Sequence, residues 1–142
     1  GFRIARVPGL NRAMQSILPR GLIESSVRNT YGDPSRVTPE LVDRYYELTL
    51  REGNRAALAQ RFAAGRSAAD PARIRQVRQP TLILWGARDR LIPLRYGEQF
   101  SRDIAGSRLV VFPELGHVPQ EEDPAATVAA VSQFLRELGT NP

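Results

Sequence analysis

Cysteine and lysine are both absent from the 142 residues, and there is one histidine, one methionine and one tryptophan. Without cysteine there is no disulfide framework and no thiolate for zinc or an iron–sulfur cluster. A single histidine would leave a zinc site resting almost wholly on carboxylates, so no metal and no cofactor is expected. Without lysine, Schiff-base chemistry and lysine nucleophiles are excluded. No apolar run approaches the roughly 20 residues of a membrane span, and no membrane partner is expected. No stretch has the basic, then apolar, then small-residue pattern of a secretory leader, and the expected location is the cytoplasm. The sequence contains no G-x-G-x-x-G, no phosphate-binding P-loop and no G-x-S-x-G.

All twenty basic residues are arginine, against fifteen acids. That usage is what the codons of a GC-rich genome supply. The charge is uneven. Residues 1–80 hold 14 arginines and 7 acids (+7), whereas residues 81–142 hold 6 and 8 (−2). The basic half would attract an anionic partner or substrate. Its arginines are scattered singly, however, with no dense run and no aromatic platform, so nucleic-acid binding is not expected. An apolar fraction of 42% is that of an ordinary soluble domain, and the length suits one core.

The pattern changes near residue 80. Before it the chain is helical and rich in Arg and Ala. Leu10, Met14, Ile17 and Leu18 are spaced for one helix face, while Pro19, Gly21 and Tyr31-Gly32-Asp33-Pro34 are breakers. Thr38-Pro39-Glu40 starts a helix: Thr38 caps, Pro39 suits the first helical position, and Glu40 complements the dipole. Leu41, Tyr45 and Leu48 follow on one face, and Gly53 ends the run. Asn54 is expected to cap a third helix through Leu58, Arg61 and Phe62. Asp70-Pro71 opens a further turn with Ile74 and Val77.

After Pro80 strands and helices alternate. Thr81–Leu84 is continuously apolar, as in a parallel strand buried on both faces. Pro93 begins a helix with Tyr96, Phe100 and Ile104 at four-residue steps, closed by Gly106. Leu109–Phe112 is the second strand. Asp123-Pro124 caps a last helix, with Val128, Val131, Phe134, Leu135 and Leu138 expected on its inner face. Two parallel strands leave both edges open and much of both faces uncovered. This half therefore reads as the edge of a larger sheet.

Each strand runs into a loop with one chemically suggestive residue. Asp89 lies in Trp85-Gly86-Ala87-Arg88-Asp89, and His117, the only histidine, in Gly116-His117-Val118-Pro119. Alone, each reads as a surface or structural residue, with Asp89 paired to Arg88 or Arg90. Together they differ, because carboxyl-end loops of adjacent parallel strands lie side by side and carry the catalysts of α/β proteins. Strand spacing of about 4.8 Å allows an Asp–His hydrogen bond. Asp89 would fix the imidazole tautomer and His117 would act as general base.

Pro80–Asp89, Pro93 and Gly116–Pro124 resemble the C-terminal end of an α/β-hydrolase fold enzyme. In that family the triad acid follows the penultimate strand, and the histidine follows the last one in a G-H-x-x-x-x-E-x-P context, where Glu122 and Pro124 match. The resemblance implies a partial α/β-hydrolase fold of class α/β: a helical cap segment over 1–79, then a βαβ unit and C-terminal helix over 80–142. It implies catalytic Asp89 and His117, and a complete enzyme that hydrolyses esters or related acyl compounds through an acyl-enzyme, with a small-molecule substrate. The family's nucleophile elbow is missing. Ser16, Ser25, Ser26, Ser35, Ser67, Ser101, Ser107 and Ser132 all lack an elbow context, and none is assigned as nucleophile. The chain alone is therefore expected to be inactive and to meet a missing N-terminal half, or a second copy, at the sheet edge. The alternative is a non-catalytic module that associates through that edge.

Overall fold

The computed structural model describes residues 19–63 and 71–139, without the side chains of Ala59, Phe62, Ala63 and Pro71. The stretch through Leu10, Met14, Ile17 and Leu18, together with Ser16, Ser67 and Asp70, lies outside the described residues. Those described form two compact units. One holds 19–28 and 35–63, and the other holds 29–34 and 71–139.

The first unit is helical. It contains most of α1 (Arg20–Thr30), then α2 (Pro39–Leu50) and α3 (Asn54–Ala63). Thr38 stays extended, and its hydroxyl accepts from the Leu41 N–H at 3.2 Å, with Pro39 in the first turn. This is the start that the sequence predicts. Glu40 has its carboxyl held below the usual range, first by its own backbone N–H and then by the Thr38 hydroxyl. The buried position of α2 is Val42, whereas Leu48 is exposed. Leu41 and Tyr45 of the expected line are half-buried, and Val42 beside them takes the deepest position. Asn54 also departs from expectation. Its side chain donates to the Leu48 carbonyl at 2.7 Å, and the first turn of α3 closes instead on the Gly53 carbonyl, from Ala57 N at 2.8 Å. Gly53 makes this reversal at φ +81°, a conformation open to glycine.

The second unit is built on two parallel strands, β1 (Leu82–Gly86) and β2 (Arg108–Phe112), with Leu82 opposite Arg108 and Gly86 opposite Phe112. The crossover helix α4 (Arg95–Asp103) packs on both strands and is capped at Ile104, whose N–H donates to the Phe100 carbonyl, ahead of the expected close at Gly106, which turns the chain at φ +73°. A short helical turn, α5 (Pro119–Glu122), follows β2, and α6 (Pro124–Gly139) packs against α5 and β1. Asp123 Oδ1 accepts from Ala126 N at 2.9 Å, the predicted start of α6. The described residues are mostly helical, with one sheet of two parallel strands.

Packing in this unit depends on glycine. The Trp85 ring lies directly over Gly97 of α4, where an added Cβ would come within 2.8 Å of it, and tilts against Phe100 at 6.3 Å between centroids. Burial is thinner than the sequence suggests. Of β1 only Ile83 and Gly86 are buried, no residue of β2 is, and Val111 is exposed. On α6, Val128 is 62% and Leu135 59% exposed, with Val131 and Leu138 also exposed. The expected inner face of the last helix is thus largely open, because two strands present too narrow a surface to cover a sixteen-residue helix.

Candidate functional site

The loops after β1 and β2 continue the sheet's backbone pairing. Ala87 N donates to the Phe112 carbonyl and Arg88 N to the Leu115 carbonyl, both at 2.9 Å. Gly86 allows this approach. A Cβ there would overlap the backbone of Leu115 and Gly116, so no larger residue fits. Arg88 pairs with Glu114 across the two loops, leaving Asp89 free of the arginine partner that its neighbours suggested.

Asp89 faces His117. The distance from Asp89 Oδ2 to His117 Nδ1 is 2.8 Å. The acid is only 5% exposed and the imidazole 34%. The second carboxylate oxygen, Oδ1, accepts from Leu91 N at 2.8 Å and Ile92 N at 2.9 Å, which folds the loop over its own side chain. An ionised carboxylate only accepts, so the ring proton sits on Nδ1 and Nε2 is left as an acceptor. The arrangement is that of an oriented base, able to take a proton at Nε2 while Asp89 stabilises the imidazolium.

A third segment supports this pair. Thr30, Tyr31 and Gly32 run alongside the histidine loop, and His117 N donates to the Thr30 carbonyl at 2.6 Å. Arg90 donates from Nη1 to the Tyr31 carbonyl at 3.1 Å and from Nη2 to the Gly32 carbonyl at 3.2 Å. Glu122, 2% exposed, accepts from Gly116 N at 2.6 Å and from Gly32 N at 2.7 Å. Gly32 and Gly116 have room for no Cβ, since each would collide with the other loop's backbone. In the sequence Tyr31-Gly32 reads only as a helix breaker, and Glu122 only as part of a motif. A buried acid is not distinguishable by type from its exposed neighbours. The one available signal was the glycine pair, Gly32 and Gly116, each followed or preceded by residues otherwise suited to turns.

No nucleophile joins the pair among the described residues. Ser107 Oγ donates to the Ser101 carbonyl at 3.3 Å, at the opposite end of β2 from His117, and Ser25 donates to Gly21 within α1. Among the described residues no group of three or more His, Cys, Asp and Glu could hold a metal ion. None of the described helices is long and apolar enough to cross a membrane.

Comparison with known proteins agrees with this architecture. The model of the "Alpha/beta hydrolase family" matches residues 3–131. The 2-hydroxy-6-oxo-2,4-heptadienoate hydrolase of Pseudomonas putida F1 is 36% identical over 109 residues, 72% of this chain and 40% of the relative. The 2-hydroxymuconate semialdehyde hydrolase of Pseudomonas sp. CF600 is 32% identical over 111 residues, 74% of this chain and 39% of the relative. Among solved structures, the meta-cleavage product hydrolase of Pseudomonas fluorescens IP01 superposes with a TM-score of 0.76 at 24% identity, over 89% of this chain and 49% of that one. A thermophilic esterase from Thermogutta terrifontis gives 0.72 at 27% identity, over 97% and 49%. The chain spans less than half the length of each of these relatives. With the family model covering nearly the whole chain, and the two-stranded core carrying the same architecture, the protein belongs to the alpha/beta hydrolase family.

Proposed function

We propose that Asp89 and His117 are the acid and base of a Ser-His-Asp triad in a serine-type hydrolase that this chain forms in part. The observation that carries the reading is the 2.8 Å contact between Asp89 Oδ2 and His117 Nδ1 at the carboxyl ends of adjacent parallel strands. His117 Nε2 takes the proton of a serine hydroxyl as that oxygen attacks the substrate's acyl carbon. The imidazolium then returns the proton to the leaving group, and water releases the acyl-enzyme by the same route in reverse. The serine and the oxyanion donors come from the part of the fold that the relatives have and this chain does not span.

The two named relatives support one substrate class. A 2-hydroxy-6-oxo-2,4-dienoate has no ester or amide bond. Its hydrolysis therefore breaks a carbon–carbon bond beside the ketone: the acyl half leaves as a carboxylic acid and the other half gains a proton on carbon. We assign the complete enzyme to small unsaturated oxo acids of this kind, with simple esters as poorer substrates.

The complementary half is the partner for the open apolar surface. Val128, Val131 and Leu135 of α6 and Val111 of β2 are all exposed, and both sheet edges lack a strand partner among the described residues. Each such side chain gains about 1.5–3 kcal/mol when covered. A second copy of the chain at the edge would give a concentration-dependent dimer, which sedimentation distinguishes from a complex with the complementary half.

Turnover of an oxo dienoate by the chain joined to its upstream region, lost in His117→Ala, is the test. Full activity in that variant, with the protein folded, would end the triad assignment. A folded assembly that turns over neither ester nor oxo dienoate would favour the non-catalytic module.

A further inference from the structure

We infer that Glu122 is a positioning residue for His117. It would act by tying the histidine loop to Thr30-Tyr31-Gly32, the tripeptide that Arg90 ties to the acid loop. The inference rests on the catalytic reading of the Asp89–His117 pair and adds a residue that the triad alone does not require.

The geometry is a set of crossed backbone contacts around one short segment. From the acid side, Arg90, next in sequence to Asp89, spans the Tyr31 and Gly32 carbonyls with its two terminal nitrogens. From the base side, His117 N reaches the Thr30 carbonyl at 2.6 Å. Glu122 closes the set, with Oε1 on Gly116 N at 2.6 Å and Oε2 on Gly32 N at 2.7 Å. A single buried carboxylate thus bridges the residue before the base and the segment that holds the acid's neighbour. Asp89 and His117 come from different loops, so their hydrogen bond depends on a spacing that neither loop sets by itself. The Gly32, Gly86 and Gly116 backbones meet without side chains between them, so the loops cannot slide on an intervening rotamer. The remaining freedom is separation of the backbones, and the Glu122 bridge resists it.

The chemistry requires an acceptor on each side. Two N–H groups converge on Glu122, and a carboxylate offers two oxygens, with charge-assisted bonds stronger than neutral ones. Glutamine has nearly the same volume but one acceptor, and its amide nitrogen would face an N–H donor. Glu122→Gln therefore keeps the packing and breaks one arm of the bridge. At Glu122 the nearby chain also carries Glu121, whose carboxylate accepts from the Tyr31 hydroxyl at 3.4 Å and does not reach either glycine N–H in the contacts described.

The test uses the whole 142-residue chain, labelled with nitrogen-15. Its single histidine makes the ring signals unambiguous. In the wild type the Nδ1-bound proton, shielded by Asp89, should be visible at low temperature and exchange slowly. In Glu122→Gln that proton should exchange at least about tenfold faster, consistent with loosening of a charge-assisted hydrogen bond, while β1 and β2 amide signals stay in place. Glu137→Gln, on the exposed side of α6 where the carboxylate meets Arg108 and Gln133, should leave it unchanged. A ring proton in Glu122→Gln as slow as in the wild type would overturn the inference while leaving the pair intact. Absence of a protected Nδ1 proton in the wild type would instead overturn the catalytic pair itself. If Glu122→Gln does not fold, wild-type hydrogen exchange in rising denaturant decides. The Gly32 and Gly116 amides and the His117 ring proton should open as one unit. Opening of the two amides with the ring proton still protected would refute the coupling.

Discussion

Asp89 divides its carboxylate between His117 and its own loop. Oδ2 meets the imidazole Nδ1 at 2.8 Å, while Oδ1 takes the Leu91 and Ile92 N–H groups at 2.8 and 2.9 Å. One side chain therefore both holds the His117 ring and shapes its own loop. The division separates two effects that substitution at Asp89 would otherwise mix.

Asp89→Asn retains an oxygen for Leu91 and Ile92 and loses the acceptor facing His117. Stability should fall little. Asp89→Ala leaves two loop N–H groups without their acceptor and should cost about 1–3 kcal/mol. Urea unfolding followed by the fluorescence of Trp85, the only tryptophan, measures both. In the catalytically complete protein Asp89→Asn should lower kcat by about 10³–10⁴, as an imidazole held in the wrong tautomer does in other triads. Equal stability of the Ala and Asn variants would contradict the loop-shaping role.

The 142-residue chain alone should not react with a fluorophosphonate probe. On the proposed reading the Asp89–His117 pair supplies neither an acyl acceptor nor oxyanion donors, and a single such donor is typically worth about 3–4 kcal/mol. Mass spectrometry after labelling should find the unmodified mass. One stoichiometrically labelled serine would locate a nucleophile within the chain.

Gly86→Ala and Gly116→Ala should be more damaging than any exposed substitution. At both positions the added methyl lands on backbone atoms of the facing loop, which cannot rotate away. A loss of at least about 2–3 kcal/mol is expected, the upper range for overpacking. Gly21→Ala, with nothing within 4 Å of its Cβ, should be neutral or slightly stabilising by comparison. Denaturant midpoints for the three variants test the order.

Val128→Glu with Leu135→Lys should weaken association with the complementary half, or with a second copy. It should not unfold the second unit, since both side chains are more than half exposed. Sedimentation of the variant against the wild type at several concentrations reads this directly. Unchanged association would place the contact elsewhere.

Thr38→Ala should cost about 1 kcal/mol at neutral pH, the usual loss for an N-cap oxygen. The effect on Glu40 has a definite sign. Its carboxyl is lowered in the folded chain by its own backbone N–H and then by the Thr38 hydroxyl. The associated stability is present above the unfolded carboxylate value and disappears as pH falls through the lowered one. The difference between Thr38→Ala and wild type should therefore narrow in acid, measured by thermal melts across that range.

Local chemistry was readable wherever one residue and its near neighbours settle the outcome. Thr38-Pro39 starts α2 and Asp123 caps α6, because each satisfies or removes backbone donors within four residues. The apolar runs at Thr81–Leu84 and Leu109–Phe112 marked both strands, and order along the chain placed Asp89 and His117 after them. Asn54 misled because a side chain able to cap its own helix found the Leu48 carbonyl of the preceding one first.

The strand–loop–helix order, the two loops and the residue types within them are legible from the residues alone. Those follow from periodicity and from the backbone demands of Gly, Pro, Thr and Asp over a few positions. Tertiary structure alone decided which acid is buried and which loop meets which. Glu122 differs from Glu121 by one position and nothing in chemistry, yet only Glu122 lies between the Gly32 and Gly116 amides. Arg90 could have paired with Asp89, but the carbonyls of Tyr31 and Gly32, 59 and 58 residues away in the chain, claim its guanidinium. Such contacts join segments far apart in sequence through backbone groups that every residue carries. No residue-by-residue pattern encodes them, and they exist only once the glycines let the three loops close on one another.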